Sequence, residues 1–269
     1  MRTQDRYVMG EGEDDHGRLR DQAVVLDPLT ERFLADAGIG RGMRVLDLGT
    51  GAGSVAAIAA DLVGEEGSVL AVDRDPTALD AARTALADRP QIAFAEADLR
   101  DLDIDEEFDA VVGRAVLMYL SDPAPVLARI ADHVRPGGLV CLHEFDLTHE
   151  WTSARTPLWE TVRTWMLEVL ARAGADARMG PKLFATFRAA GLPEPRLSVD
   201  APAGGGGAAP IFGWTNALAA VVPALEEMGI ASAEEIGIDT LTERLGAEID
   251  EADGVVLGPM LYGAGCTVA

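Results

Sequence analysis

The run Asp47-Leu48-Gly49-Thr50-Gly51-Ala52-Gly53 is the stretch of this sequence best suited to holding a ligand. Glycines there let the backbone come close to a bound molecule, where a side chain would collide with it. A dinucleotide site uses the same device, but its G-x-G-x-x-G fingerprint asks for glycine where Ser54 stands. Asp47 sits two positions before Gly49, where a pyrophosphate has little use for a carboxylate and a cationic group has a good one. Asp73, followed by Arg74, lies about 20 residues further on, at the end of the next apolar run. Its planar carboxylate can accept from both hydroxyls of a ribose at once. Asp75 is the better cap for the helix that Pro76 opens, which leaves Asp73 for the ligand. Asp98 fits an acceptor for the exocyclic amine of a base, with Leu99 covering a ring face.

A second group of chemically able residues comes later: His143, Glu144 and Asp146, with His149 and Glu150 beyond them. Strand alternation places His143 with Cys141 and Phe145 on one face, and Glu144 with Asp146 on the other. Only one face can look into a pocket. His143 is the side chain best suited to proton transfer near neutral pH, although a structural histidine fits the position equally well. Glu144 or Asp146 could instead orient an ammonium or hydroxyl. No ligand spacing typical of a metal site is evident, and no metal is expected.

These residues need a frame, and the pattern supplies one. Residues 17–37 carry an apolar stripe at helical spacing, with Pro28 expected to kink or split the helix. Short apolar runs at 44–48, 68–73, 91–96, 108–113 and 139–145 alternate with helices, including one over 123–134. That alternation predicts an α/β fold with a mainly parallel sheet, helices on both faces, and ligands beyond the C-terminal strand ends. Further on, helices are expected at 157–173, 182–190, 211–228 and 232–251, and strands at 195–201 and 254–262. Arg178 to Pro181 reads as a turn, and the Gly204–Gly207 run as a flexible connector.

The chain has 269 residues, a net charge of −23 and one lysine, Lys182. Nucleic-acid binding draws on basic surface, so a nucleic-acid partner is not expected. No apolar stretch is long enough for a membrane span, and the first 15 residues lack the features of a secretory signal. Cys141 and Cys266 lie in apolar runs and read as free buried thiols, which points to the cytoplasm.

Taken in order, Val45 to Gly53, Asp73, Asp98, Phe108-Asp109-Ala110-Val111-Val112 and Arg135-Pro136-Gly137-Gly138 before Leu139-Val140-Cys141 resemble the class I S-adenosylmethionine-dependent methyltransferases. The resemblance covers residues 40–146 and implies a Rossmann-like, seven-stranded sheet with an antiparallel last strand, and a helical lid. It implies S-adenosyl-L-methionine as cofactor, lying across the first two strand ends. Gly49, Thr50, Gly51 and Gly53 would approach it, Asp47 would meet its ammonium, and Arg114 could anchor its carboxylate. Tyr7-Val8-Met9-Gly10 and Arg18-Leu19-Arg20-Asp21-Gln22 are similar to a menaquinone-methyltransferase-like subgroup, whose N-terminal segment covers the cofactor. Tyr7, Met118, Tyr119 and Trp159 are then the candidates to line the acceptor cavity.

The expected organisation is a helical cover over 1–38, a cofactor-binding core over 39–150, and lid helices with the last two strands over 151–269, interrupted by a helical insertion at about 202–253. The expected activity is methyl transfer to a small-molecule acceptor, at nitrogen or oxygen, in specialised metabolism, with a homodimer as the candidate assembly. A C-methyltransferase acting on a quinone-like ring, a nicotinamide-dependent oxidoreductase and a non-catalytic nucleotide-binding protein are the alternatives. The oxidoreductase would want a Tyr-x-x-x-Lys pair, and Lys182 has no such tyrosine.

Overall fold

The computed structural model describes residues 13–269, with side chains from residue 23 onward and Phe212 excepted. Tyr7 and the 1–12 part of the expected cover lie outside the described residues. The first element is helix α1 (Glu13–Ala37), followed by β1 (Arg44–Leu48), α2 (Ser54–Val63), β2 (Ser68–Asp73), α3 (Pro76–Ala85) and β3 (Ile92–Glu96). Strand β4 (Phe108–Arg114), α4 (Pro123–Ala131) and β5 (Val134–Asp146) complete the regular alternation. The remainder comprises α5 (Pro157–Arg172), α6 (Met179–Ala189), β6 (Arg196–Asp200), β7 (Ala203–Gly204), α7 (Ile211–Glu227), α8 (Ala233–Ile236), α9 (Ile238–Glu251), β8 (Val256–Leu257) and β9 (Met260–Thr267).

Seven of these strands form one sheet in the order β3-β2-β1-β4-β5-β9-β6. All neighbours from β3 to β5 pair in parallel, whereas β9 runs antiparallel between β5 and β6. The expected seven-stranded Rossmann-like sheet is therefore present, with its last strand reversed. Strand order turns back between β1 and β4, so a crevice opens there beyond the strand ends.

Both faces of the sheet are buried, which is why its strands read as continuous apolar runs. On one face Val45, Val69, Ala71, Ala110, Val112 and Cys141 pack beneath α1 and α2. On the other, Leu46, Val111, Val140 and Leu142 meet α4, α6 and the later helices. Cys266 pairs with Val140 in register, so it projects to the face opposite Cys141, and the two thiols stay free.

The later helices are fastened by indole groups. Trp159 of α5 donates to Leu245 O of α9 at 3.1 Å, and Trp214 of α7 donates to Leu257 O of β8 at 2.8 Å. Trp151 stacks on Trp214 with ring centroids 3.6 Å apart. Among the described residues no helix is long and apolar enough to cross a membrane.

Several expectations need correction. Helix α1 is unbroken through Pro28. The carbonyl that loses its donor belongs to Val24, which is 76% exposed, so water can serve it. Helix α4 ends at Ala131 rather than 134. The expected helix over 232–251 is divided at Gly237, where φ is +54°, into α8 and α9. Gly204 is no loose connector: it pairs with Val256, and a Cβ there would lie 2.1 Å from Ala208 O. Met179 to Pro181 form the first turn of α6 instead of a free turn. The final strand is two strands, and β9 continues to Thr267.

The reason β9 is easily misread is its glycine content. At Gly263 a Cβ would meet the Phe33 ring and Ser198 Oγ, each at 2.5 Å. The missing side chain lets α1 settle on the sheet. We expect Gly263→Ala to lower stability by about 1–3 kcal/mol through overpacking, read as a drop in melting temperature. Combining it with Phe33→Leu should cost less than the sum of the two single changes, and strict additivity would show that Phe33 is not the obstacle.

Candidate cofactor and acceptor site

The glycine loop leaves β1 in a conformation that side chains resist. Gly49, Gly51 and Gly53 have φ of +58°, +52° and +85°. Gly53 also packs against α3, where a Cβ would come within 2.7 Å of Leu86. It precedes α2 without a side-chain cap, and no acidic residue occupies the first turn, so the helix start remains open to a polar ligand.

Asp73 is built into this loop. Its Oδ2 accepts from the Gly51 N–H at 2.8 Å and its Oδ1 from the Asp75 N–H at 3.0 Å. A carboxylate offers about four acceptor positions, so capacity remains for two hydroxyls. Asp75 caps α3 by accepting from the Thr77 N–H, the duty the sequence assigned to it.

Asp47 is the least satisfied group in the crevice. It is fully buried in β1, and neither oxygen has a hydrogen-bond partner; the buried Thr50 hydroxyl is likewise unpartnered. Burial pushes its carboxyl up from 3.8 to about 7, although the neighbouring Thr50 and Arg114 pull the other way. A buried carboxylate without a partner is costly, and a cationic ligand would relieve that cost. The ammonium of S-adenosylmethionine is such a cation, so the donor set fits the expected cofactor.

Arg114, at the end of β4, is held on three sides. It donates to Asp27 Oδ1 and Thr30 Oγ1 of α1, both at 2.9 Å, and to Ser54 Oγ of α2 at 3.0 Å. Ser54 in turn donates to Asp27 at 2.5 Å. The expected role of Arg114 as a carboxylate anchor made no allowance for Asp27, Thr30 or Ser54. One hint existed, since Thr30 falls on the apolar stripe of α1 and is 1% exposed.

The pair expected to meet the base is arranged differently. Asp98 caps the short turn Leu99–Asp101 and is gripped by Arg100, whose guanidinium drives its carboxyl down to about 2, with Arg74 adding a smaller pull. Leu99 is buried beside it.

On the acceptor side, strand alternation in β5 is as expected: Cys141 lies on the α1 face, and Leu142 opposite. His143 is 1% exposed, with Nδ1 3.2 Å from Thr30 Oγ1 and its ring against Phe33. Burial, helped by Arg114, lowers it to about 3, so it is neutral at ordinary pH. Glu144 is fully buried, and its Oε1 accepts from the Val116 and Leu117 N–H groups. Asp146 Oδ1 accepts from the Thr148 N–H and hydroxyl. His149 is bracketed by the carbonyls of Asp146 and Gly258. Met118 and Trp159 are buried in the main core, and Tyr119 packs partly buried against it. Among the described residues no group of three or more His, Cys, Asp and Glu is placed to hold a metal ion.

Comparison with known proteins agrees with this geometry. Residues 45–138 match the model of a family described as "Methyltransferase domain". This segment is an S-adenosylmethionine-dependent methyltransferase domain. It resembles the ubiquinone/menaquinone biosynthesis C-methyltransferase of Idiomarina loihiensis, at 32% identity over 44% of this chain and 49% of that one. The trans-aconitate 2-methyltransferase of Rhizobium leguminosarum is 33% identical over 41% of each chain. The chain spans about half the length of the curated relatives it matches. In fold it resembles the Haemonchus contortus phosphoethanolamine N-methyltransferase 2, with a TM-score of 0.54, 17% identity, and coverage of 88% of this chain and 52% of that one.

The buried carboxylate makes a pH-dependent prediction. A carboxyl whose pKa rises on folding favours the fold below about pH 4, and that advantage is lost as pH climbs through 7. Asp47→Asn should therefore raise the melting temperature of the ligand-free protein most at pH 8, less at pH 5, and little below about pH 4. S-adenosylhomocysteine affinity should fall in the same variant. Equal melting temperatures at pH 8 would contradict the burial argument.

Proposed function

We propose that the whole chain transfers a methyl group from S-adenosylmethionine to a small organic acceptor, at nitrogen or oxygen. The observation that carries this reading is the unpartnered, fully buried Asp47 carboxylate beside three left-handed glycines. When bound, the cofactor supplies a methyl group on a sulfonium. Asp47 would hold the ammonium end and Asp73 the ribose hydroxyls, while Asp98 and Leu99 would meet the base. Arg114 retains two N–H donors beyond those engaged by Asp27, Thr30 and Ser54, enough to hold a carboxylate.

Holding the acceptor in line with the methyl group is most of the chemistry, because positioning alone supplies several kcal/mol of such a barrier. The strand-end groups support a positioning role. His143 is neutral and enclosed, and Glu144 and Asp146 are occupied with backbone N–H groups. Such a site suits an acceptor that brings its own lone pair, an uncharged amine or a phenolate, better than a ring carbon, whose proton a base must take once the methyl group has been attached. Met118, Tyr119 and Trp159 stand on the elements that would enclose it, an arrangement that excludes water.

Calorimetric titration with S-adenosylhomocysteine and with NAD tests the reading, and a preference for NAD would overturn it. Asp73→Ala should weaken S-adenosylhomocysteine binding tenfold or more, since a charged hydrogen bond is worth roughly 1.5–3 kcal/mol. A panel of amines, phenols, carboxylates and quinols, followed by release of S-adenosylhomocysteine, tests the acceptor class. Methylation confined to the quinol carbon would replace the proposed nitrogen or oxygen chemistry.

A further inference from the structure

We infer that Glu144 is a positioning residue: its carboxylate is the resident anion of a backbone nest at residues 115–118, and through that nest it holds the loop after β4 against the glycine loop. The inference rests on the cofactor-binding reading above for its consequence, but its geometry stands independently. Ala115 has φ of +55°, a left-handed conformation that a residue with a Cβ resists. Val116 follows with φ −113° and ψ −51°, in the right-handed region. Such a left-right alternation turns successive N–H groups to the same side and makes a concavity that attracts an anion.

Glu144 fills that concavity. Its Oε1 accepts from the Val116 N–H at 2.8 Å and the Leu117 N–H at 2.6 Å, and the Met118 N–H adds its pull on the same carboxylate. Val116 opens the short turn Leu117–Tyr119 without a side-chain cap of its own, so Glu144 takes that place from the neighbouring strand. The loop is pinned twice more, by the Ala115 N–H to His143 O at 2.9 Å and by the Asp176 N–H to Met118 O at 2.7 Å. Its outer surface then reaches the cofactor loop: a Cβ on Gly49 would lie 3.0 Å from a Val116 methyl. Displacing Val116 therefore displaces a wall of the glycine loop.

The second oxygen, Oε2, is buried with no partner. Burial pushes the carboxyl up to about 7 despite the backbone donors, with the Asp176 charge adding to the rise. Glutamine keeps an acceptor oxygen where Oε1 meets the Val116 and Leu117 N–H groups, and it is the conservative replacement.

The test uses the full chain with S-adenosylhomocysteine titration and amide hydrogen exchange. Glu144→Gln should keep affinity within about threefold and keep the Val116 and Leu117 amides protected. Glu144→Met, which removes the acceptor, should weaken binding about tenfold or more and expose both amides. Adding Ala115→Gly, which adopts the left-handed turn unaided, should recover at least about threefold of that loss, an effect a simple packing defect would not show. Should Glu144→Met fail to fold, Glu144→Gln decides: unprotected Val116 and Leu117 amides overturn the inference. So does full affinity in a folded Glu144→Met variant, or lost turnover in Glu144→Gln at unchanged affinity, which would make Glu144 a proton-transfer group. If the parent protein binds no S-adenosylhomocysteine, the functional reading fails, while the exchange data still judge the nest.

Discussion

A carboxylate sealed inside a sheet, with nothing to neutralise it, is the constraint around which this molecule is arranged. Asp47 lies within the sheet, on the strand where the order turns back, and neither of its oxygens has a hydrogen-bond partner. Folding tolerates this because the strands around it bury a large apolar area, and the cost of one deprived acid is small against that gain. On the proposed reading, the same deprivation prepares the crevice for a cation. Stability and binding are opposed at this residue, as they often are where a protein keeps a site ready.

Around that acid, backbone conformation does the work that large side chains do elsewhere. Three left-handed glycines clear the approach, and Asp73 ties the loop to the end of β2 through the Gly51 N–H. On the far side of the crevice a non-glycine residue, Ala115, takes the same unusual conformation, with a buried acid from β5 to stabilise it. The two loops touch through Gly49 and Val116. The geometry of one wall is thereby transmitted to the other.

The parallel half of the fold was legible because each buried strand is short and apolar, and each turn into a helix is marked by glycine, proline or aspartate. The glycine loop and the cap at Asp75 were legible for the same reason: all of that information is local. Strand β9 was partly hidden, since Gly263 and Gly265 resemble loop residues, and Gly263 makes sense only beneath Phe33. The partners of Arg114 were hidden by distance, lying 60 and 87 residues away at Ser54 and Asp27. Nothing in an alanine announces a positive φ, so the nest at 115–118 was invisible, and Glu144 read as a free acid. Pro28 does not split α1, and the carbonyl it leaves without a donor belongs to Val24, whose exposure sequence does not state.

Helix α1 also sets an order of events during folding. It is synthesised ahead of everything it rests on: Ser54 is 27 residues from Asp27, His143 is 113 from Thr30, and Asp200 is 168 from Arg32. Until β9 has joined the sheet, Phe33 has no glycine to lie upon, and Leu26 and Leu34 have no completed surface to cover. Contacts of such long sequence separation form late, because closing the intervening chain is entropically expensive. The part of the helix that lies on β9 can therefore seat only once that strand has been made, and the Phe33 ring must stay unsheltered until then.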